Sequence, residues 1–357
     1  MTRYSLLLAT TFAVLFPSLV RAAPQIGDKA PPVKVAKWMT LAPPALPNDK
    51  GAEKHIFLVE FWATWCGPCM KSVPHLAELH RKHQKDGLVV LGISNEEPDT
   101  IASFLSGKAK KLKLEMPYFV GSDEDMDTQN VWMKDVEGIP YAFVVDKTGT
   151  IVWTGNPLAD TKVMDDTIKQ VLTGSFDIVA AKKAAANAKK ANELMGELRA
   201  AYGNQDKERV FKILDEIMAL KPNDIQAYLI KKQLLAEFDM EDQIPAWEAK
   251  IEVAMKDSSD GLLQLAAVEL EKPLSDRNAA MLYRSVNRAN ELTNGQDAEA
   301  LLLLAQTQCT MGMIDAAIAT QKKAIDLTTG EQAEEFKRVL KYYETSKELA
   351  QSVTQTQ

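Results

Sequence analysis

The chain of 357 residues is 46% hydrophobic and 25% charged with 3 Cys, which excludes both a disordered polymer and a disulfide-stapled miniprotein. At roughly 100 to 200 residues per domain this length predicts two domains, each able to bury its own core. Lys and Arg number 42 against 49 Asp and Glu, a net charge of −7, and this balance argues against nucleic acid as a partner.

Residues 1–22 read as a signal peptide. Arg3 precedes an apolar stretch from Leu6 to Val20 that is too short to span a bilayer comfortably. Val20-Arg21-Ala22 offers small residues for cleavage after Ala22, with Ala23 as the alternative, and an uncleaved anchor is the competing reading. No later segment approaches the ~18 consecutive apolar residues of a membrane helix. The mature chain is therefore expected to be secreted, not membrane-embedded, and to work in an oxidising compartment such as a periplasm.

Residues 24–175 carry short β-branched and aromatic runs separated by Gly, Pro and Asp: Ile56 to Phe61, Leu88 to Ile93, Tyr118 to Val120, Ala142 to Val145 and Ile151 to Trp153. These read as strands. Helical patterns lie between them, near Cys69 to Lys85, Pro98 to Leu105 and Asp127 to Trp132, so an α/β domain is predicted. Asp146-Lys-Thr-Gly149 has the residues of a tight hairpin turn, which makes one strand pair antiparallel and the sheet mixed.

The strongest signal is Glu60-Phe-Trp-Ala-Thr-Trp-Cys66-Gly67-Pro68-Cys69, a strand-like run ending in a Cys-x-x-Cys that opens a helix. Only a thiolate attacks a disulfide, and a free thiol has a pKa of about 8.5. At a helix start, orphan N–H groups and the dipole favour the anion of Cys66, while Cys69, one turn on, can resolve the mixed disulfide. Gly67 and Pro68 shape that first turn, and Pro74 predicts a kink within the same helix. Two other readings of the pair are a structural disulfide and half of a zinc site. Zinc needs four ligands, and neither Cys309 nor His55, His75, His80 or His83 stands in a matching paired spacing.

Through Phe61-Trp-Ala-Thr-Trp-Cys-Gly-Pro-Cys69 and Gly138-Ile-Pro-Tyr-Ala-Phe-Val-Val-Asp-Lys-Thr-Gly149, the first half resembles the thioredoxin superfamily, in particular its secreted TlpA/ResA-like branch. The resemblance covers about residues 24 to 173. It implies a redox-active Cys66–Cys69 disulfide and a cis proline at Pro140 facing it, with Ile139 offering backbone to an extended substrate. It also implies a buried carboxylate at Glu60 that accepts a proton from Cys69; the bland alternative is a solvent-facing position. An acidic residue after the next strand in some members corresponds to Glu96 or Glu97. Trp65 frames the site with Gly67, Pro68 and Ile139; Trp62 either flanks the disulfide or packs beneath the helix. No cofactor or metal is required. The implied partners are substrate protein thiols and disulfides, with a membrane thiol carrier as electron donor.

Beyond Phe176 the sequence is rich in helix formers with apolar residues recurring at three and four, so the second half is expected to be all helical. Residues 176–190 read as a solvated helical linker, 191–349 as repeats and 350–357 as a disordered tail. Leu301, Leu304, Ala305, Gly312, Ala317, Ala324 and Leu327 have the spacing of a tetratricopeptide helix-turn-helix unit, with a plain helical bundle as the alternative. Matching second-helix positions Val210, Ile244, Ala279 and Ala317 are separated by 34, 35 and 38 residues. Such an array would offer a concave surface to a peptide or protein. The reading is thus a thiol-disulfide oxidoreductase acting as a reductase. Its rivals are a thiol oxidase, a peroxiredoxin-like peroxidase, and an interaction scaffold with an accessory redox domain.

Overall fold

The computed structural model describes residues 23–354, and these divide into two compact units between Ala185 and Ala186. The signal-peptide reading of residues 1–22 lies outside the described residues. Among the described residues, no helix is long and apolar enough to cross a membrane.

The first unit is a mixed six-stranded sheet flanked by helices. Its strands are β1 (Lys37–Trp38), β2 (Ile56–Phe61), β3 (Leu88–Ser94), β4 (Phe119–Ser122), β5 (Tyr141–Val145) and β6 (Ile151–Gly155), in the order β1-β4-β3-β2-β5-β6. Strand β2 runs parallel to β3 and antiparallel to β5. It is buried along its whole length, which is why it reads as a continuous apolar run broken only by Glu60. The hairpin between β5 and β6 closes through Gly149 at φ 75°, with Asp146 Oδ1 accepting from the N–H groups of Thr148 and Thr150.

Two faces follow from the period-two alternation of β2. Ile56, Leu58 and Trp62 pack with Leu76 and Ala77 of α1 (Gly67–His83), whereas Phe57, Val59 and Phe61 join Trp132 and Phe143 on the opposite side. Glu60 shares its parity with Leu58 and Trp62 and so lies under α1. Strand β1 and helix α5 (Thr161–Thr173) escape a sequence reading. The first is two residues held by antiparallel pairing to β4, a long-range contact that no local pattern encodes. The expected Pro98 to Leu105 helix begins as α2 (Pro98–Ser103), passes through a π-helical turn at Phe104–Lys108 and ends as α3 (Ala109–Lys111). Helix α4 (Gln129–Trp132) completes the set.

The second unit is wholly helical. Helix α6 spans Ile178–Gly203 and therefore includes most of the segment read as a linker. It is followed by α7 (Lys207–Leu220), α8 (Ile225–Glu237), α9 (Ile244–Met255), α10 (Ser259–Glu271), α11 (Ala279–Leu292), α12 (Ala298–Thr310), α13 (Ile314–Asp326) and α14 (Gly330–Thr354). From α7 onward each helix packs on the next, and α10 also meets α8 and α12. Starts are capped by Asp206, Asp224, Ser258, Asn278 and Asp297, whose side chains accept from backbone N–H groups of the first turn.

Two expectations change. Ala279 is exposed, and the buried positions equivalent to Val210 and Ala317 are Trp247 and Leu282, each the fourth residue of its helix. The spacing of Val210, Trp247, Leu282 and Ala317 is 37, 35 and 35 residues, more even than the pattern read from small residues. The predicted tail is also helical through Thr354, since no Gly or Pro after Gly330 stops the helix.

Candidate functional site: a disulfide at a helix N-terminus

Cys66 and Cys69 are joined by a disulfide with S–S 2.05 Å. Cys66 is the N-cap of α1, and the Cys69 N–H donates to its Sγ at 3.1 Å. A side chain in that position meets the unpaired N–H groups of the first turn and the positive end of the helix dipole. Negative charge on Cys66 sulfur is thereby favoured, as disulfide exchange requires. Gly67 and Pro68 form the exposed first turn, where the missing proline N–H costs no helical bond. Pro74 lies inside the helix and withholds one N–H from its ladder.

The Ile139–Pro140 bond is cis, and the Ile139 carbonyl oxygen lies 3.7 Å from Cys66 Sγ. Pro140 is buried and Ile139 half-buried. Beside them opens a cavity of about 560 Å³ lined by Trp65, Asn95, Met126, Met133, Gly138 and Ile139, among others. Trp65 is 71% exposed at its edge. Trp62 is buried instead: it packs on Phe104 with ring centroids 5.6 Å apart, shares a core cluster with both cysteines and also lines the cavity.

Glu60 is fully buried. Burial pushes its carboxyl up to about 8, and the hydrogen bond donated by Ser72 Oγ to Oε1 at 3.2 Å pulls the other way. An acid neutral at pH 7 avoids the cost of an unpaired buried charge. The register sets Gly92 of β3 and Ala142 of β5 beside it. A Cβ at Gly92 would press to 3.2 Å against both Trp62 Nε1 and the Tyr118 ring. Tyr118 is buried too, its hydroxyl held well above the usual phenol range by burial and then by Glu60.

The Glu96 carboxylate is engaged by the loop before Cys66. Its Oε2 accepts from the Thr64 N–H at 2.7 Å and from Ser94 Oγ at 3.0 Å, while Oε1 accepts from Thr64 Oγ1 at 2.7 Å. Lys108 Nζ donates to the Thr64 carbonyl at 3.3 Å. Glu96 therefore fixes the loop that delivers Cys66, and Glu97 is an exposed residue at the start of α2. Thr64 lies within the run that ends in Cys-x-x-Cys and Tyr118 at a predicted strand, but neither these nor Ser72 stands out in the sequence as a site residue. Ser72 alone left a trace, a polar residue in the buried stripe of α1 with Cys69, Val73 and Leu76.

Residues 26–154 match the model of the AhpC/TSA family. The chain is 30% identical over 154 residues to the thiol:disulfide interchange protein HelX of Rhodobacter capsulatus, covering 42% of this chain and 79% of that protein. The chain belongs to the thioredoxin-like thiol-disulfide oxidoreductase family. Protein FixW of Rhizobium leguminosarum is 28% identical over 157 residues, 42% of this chain and 67% of that one. The thiol-disulfide oxidoreductase ResA of Bacillus cereus is 28% identical over 122 residues, 34% of this chain and 61% of that one. The chain thus spans about three fifths to two thirds of the length of these two relatives. A solved thioredoxin-family thiol:disulfide interchange protein from Chlorobium tepidum aligns with TM-score 0.32 at 22% identity, over 42% of this chain and 99% of that one. The chain's Cys-x-x-Cys pair is Cys66 and Cys69, joined as a disulfide. Cys309 of α12 is half-buried, with its thiol pushed up by burial, the opposite of a reactive thiol.

Proposed function

We propose that this protein is a periplasmic thiol-disulfide oxidoreductase that reduces protein disulfides through Cys66 and Cys69. The observation that carries the reading is the buried sulfur of Cys66 at the N-cap of α1, 3.1 Å from the Cys69 N–H and 3.7 Å from the Ile139 carbonyl. In the reduced enzyme, the Cys66 thiolate attacks one sulfur of a substrate disulfide, forming a mixed disulfide and releasing one substrate thiolate. Cys69 then gives its proton to Glu60 in its ionised form, the minority at pH 7 for a group raised to about 8, the Cys69 sulfur bonds to Cys66, and the second substrate thiolate leaves. Two electrons pass to the substrate, and an external dithiol, held by the resemblance to be a membrane thiol carrier, must return them. The edge at Ile139 and the adjoining cavity suit an extended chain carrying the target sulfur. The leader-like residues 1–22 support export.

Residues 24–175 would be the redox domain, 191–349 tetratricopeptide-like repeats and 176–190 the segment between them. The even spacing of Val210, Trp247, Leu282 and Ala317 supports that reading of the repeats, which would recruit a peptide or protein partner. The match to the AhpC/TSA model favours a second reading as a peroxidase.

The test is the reduction potential of Cys66–Cys69 in glutathione and dithiothreitol buffers, read by Trp65 fluorescence. A value near about −270 mV supports a reductase; one near about −120 mV makes the protein an oxidant. Trapping of substrate mixed disulfides by Cys69→Ala, with no peroxide turnover by the parent, separates exchange from peroxidase activity.

A further inference from the structure

The Ser72 hydroxyl stands between two acceptors. It lies 3.2 Å from Glu60 Oε1 and 2.9 Å from the Cys69 carbonyl oxygen, yet a serine carries one hydrogen to donate and lone pairs with which to accept. It cannot serve both acceptors fully at once. With Glu60 ionised, the hydrogen is drawn to the carboxylate, the stronger acceptor. With Glu60 protonated on Oε2, Oε1 remains an acceptor, though a weaker one, and the serine hydrogen is shared between it and the Cys69 carbonyl oxygen. Oε1 of a fully buried acid thus keeps the same neighbour in both protonation states, a side chain itself 2% exposed.

We infer that Ser72 is a positioning residue for the resolving step, its hydroxyl holding Oε1 in either protonation state while Oε2 exchanges the proton of Cys69. Oε2 finds no hydrogen-bond partner among the described residues, so it is the oxygen left for the transfer. The link to the thiol is short in sequence: Ser72 is one helical turn after Cys69 on the buried face of α1. Among the described residues, the titratable group coupled to Glu60 is Tyr118, ahead of β4, and the cysteines of α1 titrate only when reduced. His80, further along α1, faces the Tyr118 ring with centroids 6.4 Å apart, and β3 and β5 present Gly92 and Ala142. Among the described residues, Ser72 is the one group hydrogen-bonded to the carboxyl. Burial drives Glu60 towards its neutral form and the serine opposes it, in agreement with this geometry.

This inference rests on Glu60 as the proton acceptor, and the experiment separates the two. In the full-length oxidised chain, the Glu60 carboxyl is titrated by carbon NMR in the parent, Ser72→Ala and Ser72→Thr. The pH profile of resolution of a Cys66 mixed disulfide is followed in the same three proteins. Loss of a hydrogen bond to the ionised form should raise the Ser72→Ala midpoint by about one pH unit, a tenfold fall in its ionisation constant. The rate profile should move with it, and Thr, which keeps the hydroxyl, should restore both. A midpoint and rate profile unmoved by Ser72→Ala overturn the role of Ser72 and leave Glu60 standing. A parent carboxyl that titrates near the ordinary value of about 4.3, or a midpoint that moves without the rate profile, overturns Glu60 as acceptor and the inference with it.

Discussion

Replacing Glu60 by Gln should abolish a specific pH dependence of stability. The carboxyl titrates near 4.5 when free and at about 8 in the fold, because burial penalises its charge. The folded state therefore holds a proton that the unfolded chain releases, and stability must fall as pH rises between those two values. At about 1.4 kcal/mol per pH unit, the loss reaches about 3 kcal/mol by pH 7 and levels near about 5 kcal/mol above the folded value. Gln retains the shape and an acceptor for Ser72 but does not titrate. Urea unfolding of both oxidised proteins across this window, followed by tryptophan fluorescence, reads the effect directly, since five of the six Trp lie in the first unit. The parent should lose stability relative to Glu60→Gln with rising pH, the two converging toward the acid end of the window. Parallel curves across the window would refute the reasoning, for then Glu60 would ionise as easily in the fold as in the unfolded chain.

Trp65→Ala should leave stability within about 0.5 kcal/mol, as expected for an exposed side chain, while slowing exchange with a protein disulfide more than with a small aromatic disulfide; equal slowing would remove Trp65 from substrate contact. Glu96→Ala leaves Thr64 N–H and Ser94 Oγ without their acceptor and should cost about 1.5–3 kcal/mol in urea unfolding, with faster amide exchange at Thr64. In the helical unit, Leu282→Ala empties a fully buried site and should cost about 2–5 kcal/mol by thermal melting; a cost below about 1 kcal/mol would contradict the assigned register. The Asp165 carboxylate accepts from or pairs with His75 Nε2 at 2.9 Å and holds its imidazole above the usual range. That contribution is full below the free histidine value of about 6.5 and is lost as pH rises through the higher folded value, so Asp165→Asn should lower the His75 titration in proton NMR.

Much of the first unit was legible because its signals are local. A run of β-branched residues, an Asp-to-Gly turn and a Cys-x-x-Cys at a helix start each name an element within ten residues. The helical half was legible in type for the same reason, since helix-former content and three-and-four periodicity are short-range. Its register was not. Small residues such as Ala279 mimic a packing position, and burial by a neighbouring helix selected Leu282 and Trp247 instead.

What the sequence by itself determined, then, is the disulfide-forming Cys-x-x-Cys pair and the helix start it occupies, because three residues along one chain suffice to set that geometry. Tertiary structure alone decided the rest. Ile139 is 73 residues from Cys66 and Glu96 is 32 from Thr64, and they meet only because the sheet order brings β3 and β5 to either side of β2. Glu60 becomes an acid of about 8 for the same reason. A carboxyl acquires that value from the apolar bodies packed on all sides of it, and no run of neighbours in sequence can supply them.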